Sequence, residues 1–266
     1  MLANCVNKVN YVWRIFATGL CFSLFGFGGV VLTLLVLPLQ RLFESSETKR
    51  KYQARLTVHY CFKAFVAMMH TLGVIHFSIE DKTRFADLKG QLVLANHPSL
   101  IDVVVLISVI KDADCVVKAH LFKNLFMRGV IKSTGYISNQ DPQELLVECQ
   151  ASLAAGNNLI IFPEGTRSQP NTGLKFKRGA ANIVLRCQAS VSCVLIKMQP
   201  STLTKGTPWY KVTATRAHFM MKFTSVEFKN NNNLNDEPPS MQARYLTRQL
   251  QDYFSEELRR YERIKK

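Results

Sequence analysis

The stretch LVLANHPSLIDVVVL, residues 92–106, decides how the rest of the chain is read. Leu92 to Ala95 make a short buried strand, Pro98 suits a first helical turn, and the apolar run resumes as a helix over 99–110. A strand feeding directly into a helix is half of a parallel α/β unit. Yet the same apolar run holds Asn96, His97 and Asp102. Polar groups in apolar surroundings cost free energy unless they are paired, so these three either satisfy one another or do chemistry. His97 falls at the carboxyl end of the strand, the edge where open α/β sheets bind ligands. Asp102 comes close enough in sequence to reach back to the ring. A carboxylate there fixes the imidazole tautomer, stabilises imidazolium and leaves the other nitrogen free to take a proton. The bland alternative is a His–Asp hydrogen bond that merely caps the helix.

Outward from that stretch, strands are expected at 115–117, 136–138, 159–162 and 191–198, and helices at 121–133, 141–155 and 178–187. Asp141, Pro142 and Glu144 carry a clear helix-start signal. This alternation predicts an α/β fold, a mainly parallel sheet flanked by helices. Residues 210–216 and 219–223 are expected to add edge strands, 230–240 a polar linker, and the chain from about Ser240 a last helix with Leu246, Leu250, Phe254 and Leu258 on one side.

The N-terminal part is of a different kind. Residues 15–40 contain no charge. As a helix they would span roughly 39 Å, against a bilayer hydrocarbon core of roughly 30 Å, which suffices for a transmembrane helix. Gly19, Gly26, Gly28, Gly29 and Pro38 favour a kinked or re-entrant path. Lys8 and Arg14 precede the run, whereas Arg41, Lys49, Arg50, Lys51 and Arg55 follow it, which assigns the following domain to the cytoplasmic side of an inner or cytoplasmic membrane. Residues 49–73 read as an amphipathic helix, Phe62, Phe65, Met69 and Leu72 on one face and Arg55, His59, Lys63 and His70 on another. Such a helix either lies in the membrane interface or covers the soluble core. The chain thus divides into N-terminal membrane-anchoring helices, 1–75, and an α/β domain with a C-terminal helix, 76–266.

Apolar residues at 47% and charged residues at 20% are those of a folded protein. A net charge of +15 favours an anionic partner: nucleic acid, an acidic membrane face, a phosphorylated substrate or an acidic carrier. Basic motifs interleaved with aromatics are absent, which ranks nucleic acid low. Seven scattered cysteines with no C-x-x-C read as free thiols, and no metal-ligand cluster is visible, so neither a metal nor a cofactor is expected.

A second stretch, LIIFPEGTRS at 159–168, is another apolar strand that runs into polar residues at its carboxyl end. Glu164, Gly165, Thr166 and Arg167 would share the sheet edge with His97. Gly165 permits close backbone approach, and the planar fork of Arg167 suits phosphate. Lys175, Lys177 and Arg178 add positive charge at the start of the next helix. The two stretches together resemble the glycerophospholipid acyltransferase family. Its N-H-x4-D motif is present as Asn96, His97 and Asp102, its F-P-E-G-T-R-S motif runs in full from Phe162 to Ser168, and VLIKMQP at 194–200 is a counterpart of its looser apolar-proline motif. The resemblance covers about 92–200. It implies that His97 is the base, Asp102 its partner, and Glu164, Gly165 and Arg167 acceptor-site residues, with Asn96 and Thr166 beside them. The family's second motif usually ends in a basic residue. Here GYISNQ, 135–140, puts Asn139 near that place, an amide that can bond a phosphate without bringing charge.

The implied activity is a membrane-bound acyltransferase that moves a fatty acyl group from acyl-CoA or acyl carrier protein to the hydroxyl of a lysophospholipid, 1-acylglycerol-3-phosphate first, in phospholipid biosynthesis or remodelling. The alternatives are another lyso-lipid acceptor, such as a lyso-aminolipid, and a lipid hydrolase that uses the same His–Asp pair on water. No G-x-S-x-G elbow is present to form an acyl-enzyme.

Overall fold

The computed structural model describes residues 2–170, 172–225 and 237–264. Its N-terminal helix α1 (Leu2–Val31) continues through a π-helical turn (Leu32–Val36) into α2 (Leu37–Phe43), and α3 (Glu47–Thr71) folds back along it. There follow β1 (Ile75–Ile79), α4 (Lys82–Ala86), β2 (Leu92–Ala95), α5 (Asp102–Val109), β3 (Ala113–Val117), a 3-10 turn (Ala119–Lys123), α6 (Arg128–Thr134), β4 (Ile137–Ser138), α7 (Pro142–Ala154), β5 (Asn158–Ile161), α8 (Arg178–Cys187), β6 (Val191–Gln199), β7 (Ala217–Ser225) and α9 (Pro239–Ile264).

The seven strands lie in the order β1-β7-β6-β2-β5-β3-β4. All pairs are parallel except β6 with β7, so the expected mainly parallel α/β sheet is what forms. Successive side chains of a strand point to opposite faces. Val93 and Ala95 accordingly join a core with α1, α3, α5 and α6, while Leu92 and Leu94 join a second core under α7, α8 and α9. From β2 the chain crosses over β5 to β3, and from β5 it crosses back over β2 to β6. The carboxyl ends of β2 and β5 thus flank a point where the winding reverses, which is where a crevice opens.

Four local expectations are corrected. Residues 121–133 do not form one helix, because Asn124 Oδ1 accepts from the N–H groups of Phe126 and Met127 and ends the first turn. Residues 210–216 form turns rather than a strand, since the N–H groups of Lys211 and Val212 are spent on the carbonyls of Pro208 and Tyr210. The strand expected at 219–223 exists, as part of β7, but it is interior: β1, which the sequence reading missed, covers it in parallel register from Ile75↔Ala217 to Ile79↔Met221. Finally, Arg55 and His59 do not sit on a polar helix face; both are buried. Of the expected linker, 230–240, residues 230–236 lie outside the described residues.

The N-terminal helix is packed along its length, not free-standing. Trp13 Nε1 donates to the Leu72 carbonyl, Gln40 to Thr57 Oγ1 and Arg41 to Ser133 Oγ. A Cβ on Gly129 would stand 2.1 Å from Thr33 Cγ2, so glycine there is what lets α6 touch this helix. The π turn immediately precedes Pro38, whose missing N–H cannot bond the Leu34 carbonyl; the Leu37 N–H reaches back to Leu32 instead. Because Cys21, Leu32, Leu37, Ala54 and Met69 share one core with Val93 and Val105, the helices before residue 75 and the sheet after it are one packed body.

Candidate active site

The site is assembled where β2 and β5 end side by side. Asn96 follows β2, and its side chain continues the ladder: Nδ2 donates to the Ile196 carbonyl and Oδ1 accepts the Ile196 N–H, each at 2.8 Å. Both ends of its amide are thereby used on β6, which locks the end of β2 in place. His97 comes next. Its Nδ1 lies 2.7 Å from Oδ2 of Asp102, the first residue of α5, and the same oxygen accepts the Ser99 N–H at 2.7 Å. Residues 98–101 form a turn rather than the expected helical start, and that turn brings the carboxylate back to the ring.

Burial differs sharply across this pair. Asp102 is 0% exposed, while the His97 side chain is 17% exposed. The ring therefore has one protected and one accessible edge. Phe162 stacks on its face at a centroid distance of 4.2 Å. Burial pushes the Asp102 carboxyl up to about 6, opposed chiefly by its hydrogen bond with His97.

Glu164, at the end of β5, is also buried. One oxygen, Oε1, accepts the backbone N–H of His97 and the hydroxyl of Ser168, both at 2.8 Å, and the Ser168 N–H closes the loop onto the His97 carbonyl at 2.7 Å. Two strand ends are thus tied together by one carboxylate, which burial holds above the usual carboxylate range. Gly165 has φ +63°, and a Cβ there would meet Lys177 Cδ at 3.2 Å. The Lys177 side chain consequently lies over Gly165, and its backbone N–H bonds the Pro163 carbonyl. Thr166 stands half-buried on the same turn.

Arg167 is placed differently from the expectation of a free phosphate fork. Its Nη1 donates to the carbonyls of Leu203 and Thr204, both at 3.0 Å. It holds the loop after β6, where Leu203 has φ +54° and its carbonyl also accepts the Leu100 N–H. Asn139 is not brought to the site. It follows β4, three strands from β2, a lateral distance of about 14 Å. Its Oδ1 accepts the Ala119 N–H at 3.0 Å.

The sequence reading missed Phe162, Ser168 and Lys177 as site-building residues, although the first two lie within the quoted motif and the third within the noted basic run. It also missed an apolar cavity of ≈ 270 Å³ beside Leu100, Ile101 and Leu203, lined further by Cys21, Phe22 and Phe62 from the N-terminal helices. Among the described residues no group of three or more His, Cys, Asp or Glu could hold a metal ion.

The α/β sheet thus presents at one strand end a histidine with a buried carboxylate on one ring edge and an accessible other edge, tied to a glutamate-glycine turn. Residues 76–197 match the family model described as Acyltransferase. The chain is 32% identical over 124 residues to the 1-acyl-sn-glycerol-3-phosphate acyltransferase of Helicobacter pylori, covering 44% of this chain and 49% of that protein. It is 30% identical over 141 residues to a putative 1-acyl-sn-glycerol-3-phosphate acyltransferase of Caenorhabditis elegans, covering 50% and 52%. The chain thus spans about half the length of these curated relatives. Its fold is that of the crystal structure of the 1-acyl-sn-glycerophosphate acyltransferase PlsC from Thermotoga maritima, with TM-score 0.61 and 18% identity over 93% of this chain and 97% of that one. These matches agree with the resemblance to the glycerophospholipid acyltransferase family that the two motifs carry.

Proposed function

We propose that the protein transfers an acyl group from a thioester, acyl-CoA or acyl carrier protein, to the free hydroxyl of a lysophospholipid of the 1-acylglycerol-3-phosphate type. The observation that carries this reading is the 2.7 Å contact between a half-open His97 and a fully buried Asp102 at the end of β2. With Nδ1–H held by the carboxylate, Nε2 takes the proton from the acceptor hydroxyl as its oxygen attacks the thioester carbonyl. The C–S bond then breaks, and the imidazolium returns the proton to the leaving thiolate. Asp102 stabilises the imidazolium between these steps. In this reading Glu164, Asn96 and Ser168 hold His97 in place, and Lys177 above Gly165 is the cation for an acceptor phosphate, while Arg167 shapes the wall that faces it.

The same reading assigns the N-terminal helix to the membrane surface. Phe16, Leu20, Phe27, Leu35, Leu39 and Phe43 are exposed along the helix, opposite the side that packs on the domain. Residues 7–43 are long and apolar enough to cross a bilayer. Contacts with the domain from Trp13 to Arg41 favour a helix that lies in the interfacial plane with this row in the acyl region. Lys49 and Arg50 beside it fit the anionic leaflet of a cytoplasmic membrane, each adding about 1 kcal/mol. Arg55, counted with them from sequence, is buried and does not contribute. The apolar cavity then opens between bilayer and base, and fits an acyl chain.

The test is direct. The full chain, incubated with liposomes containing 1-acylglycerol-3-phosphate and with palmitoyl-CoA, should yield the diacyl product by mass spectrometry. Release of palmitate alone would replace the transferase by the hydrolase.

A further inference from the structure

Two spaces open on opposite sides of the sheet beside His97. The apolar cavity lies under α1, α3 and α5. The other is a groove of ≈ 490 Å³ on the α9 side, lined by Asn96, Pro98 and Ser168 at one end, by Lys197, Gln199 and Ser201 along β6 and the loop after it, and by Leu174 and Leu258 on the outer wall. We infer that this groove takes the phosphopantetheine arm of the thioester donor, the part common to coenzyme A and acyl carrier protein. The inference rests on the acyl-transfer reading and goes beyond it by assigning a separate donor channel.

Position is the first argument. Pro98 adjoins His97 in sequence, and Ser168 is bonded to the His97 carbonyl, so the groove begins against the backbone of the base, across the sheet edge from its ring. Its volume lies in the range of small-molecule sites. Chemistry is the second. A pantetheine arm alternates methylene segments with two amides and ends in a phosphate. The groove alternates likewise: Gln199 and Ser201 are exposed, with the apolar walls of Leu174 and Leu258 beside them, and Lys197 supplies a cation. Among the described residues no carboxylate lines it. Two amides entering the apolar cavity instead would lose their hydrogen bonds to water, at a cost that buried unpaired polar groups always carry. Direction is the third. The exposed apolar row of α1 and α2 faces away from the sheet on the cavity side, so a lipid acceptor arrives there, and the water-soluble part of the donor leaves by the opposite face.

The experiment compares palmitoyl-CoA with palmitoyl-N-acetylcysteamine, which keeps the thioester and lacks most of the arm, in wild type and in Ser201→Trp and Gln199→Trp. The ratio of kcat/KM for the long donor over the short one should fall about tenfold in both variants, because tryptophan fills the groove. Taking the ratio within each variant removes any loss of folded protein. An unchanged ratio overturns the donor channel. Calorimetric titration of the full-length wild type and Ser201→Trp with coenzyme A alone separates the two levels of the argument. If wild type transfers nothing from any thioester but binds coenzyme A, and Ser201→Trp weakens that binding about tenfold, the groove stands and the acyl-transfer reading fails. If coenzyme A binds both proteins equally, the groove fails whatever the activity.

Discussion

Asp102 and Asp114 are two buried aspartates in one sheet, and they have opposite fates. Each is pushed up to about 6, with burial as the leading cause in both. Asp102 stands at the carboxyl edge, after β2; Asp114 stands near the amino end of β3. Around Asp114 the pairing is closed: Arg55 Nη1 and Ser152 Oγ donate to Oδ2, the Cys115 N–H donates to Oδ1, and Arg55 also binds Asp112, the Thr134 carbonyl and Asn157. Around Asp102 it is open: Oδ1 has no hydrogen-bond partner among the described residues, and Oδ2 holds a ring whose other edge is accessible. Depth of burial and a shifted carboxyl therefore do not by themselves mark a reacting group. What separates the two is a partner with one free face. Arg55 carries a permanent charge and no accessible edge, so its aspartates pin α3 to the sheet; His97 can give and take a proton.

The comparison breaks most sharply under His97→Ala. Turnover per folded molecule should fall by about 10²–10⁴-fold, and the unfolding midpoint in urea should fall as well, because Asp102 stays buried without its ring. Wild-type rates in the purified variant would remove the proposed base. At the other edge, Arg55→Met should spare turnover. It leaves Asp114 buried and uncompensated, a loss of about 3–5 kcal/mol, while turnover per folded molecule is retained. If Arg55→Met instead abolished activity in protein that is still folded, the separation between the two edges would be false.

A pH series sharpens the same contrast. An aspartate raised to about 6 in the fold binds a proton that the unfolded chain has already lost above pH about 4. Over that window the folded state holds more protons, so the contribution of each buried aspartate to stability is largest near pH 4 and falls as pH rises towards 6. Asp114→Asn should flatten part of that slope in chemical unfolding without altering the activity profile. Asp102 has a second effect. It helps His97 only when ionised, so kcat/KM should fall below pH about 6, on a limb that belongs to the His97–Asp102 pair as a unit. Asp102→Asn should lower the plateau.

What could be read from the sequence follows from the range of the contacts. The His97–Asp102 pair is five residues apart, and the turn Phe162–Ser168 is contiguous, so both were visible as motifs on strand ends. Central strands stood out because both their faces are buried and they read as continuous apolar runs. The Arg55–Asp114 bond spans 59 residues and the Asn96–Ile196 bonds 100, and nothing local signals either. Arg55 looked like a solvated cation for that reason, and Asn96 like a ligand. The strand β1, IHFSI, is short and only partly buried, which left no pattern strong enough to separate it from a loop. Without β1, β7 could only be read as an edge.

The smallest effect expected is at Asn139. The family usually carries a basic residue near this place, and Asn139→Arg restores the charge. If the site were arranged as the sequence alone implies, that change would favour lysophosphatidate over lysophospholipids with neutral heads. The geometry argues otherwise. Asn139 is exposed, lies at the end of the outermost strand β4, and spends its amide oxygen on the Ala119 N–H, which shapes the turn after β3. Replacing it removes one exposed hydrogen bond, so stability should drop by no more than about 1 kcal/mol. A new guanidinium about 14 Å from the end of β2 is nearly two Debye lengths away at physiological salt and acts on a phosphate beside Lys177 only weakly. The ratio of acceptor KM values, lysophosphatidate over lysophosphatidylethanolamine, should therefore stay within about twofold of wild type in physiological salt. Lys177→Ala in the same assay should raise the KM for lysophosphatidate itself about tenfold, as loss of a charge-assisted phosphate contact does. A large gain from Asn139→Arg with no loss from Lys177→Ala would move the headgroup from the β2–β5 crevice to the β3–β4 edge.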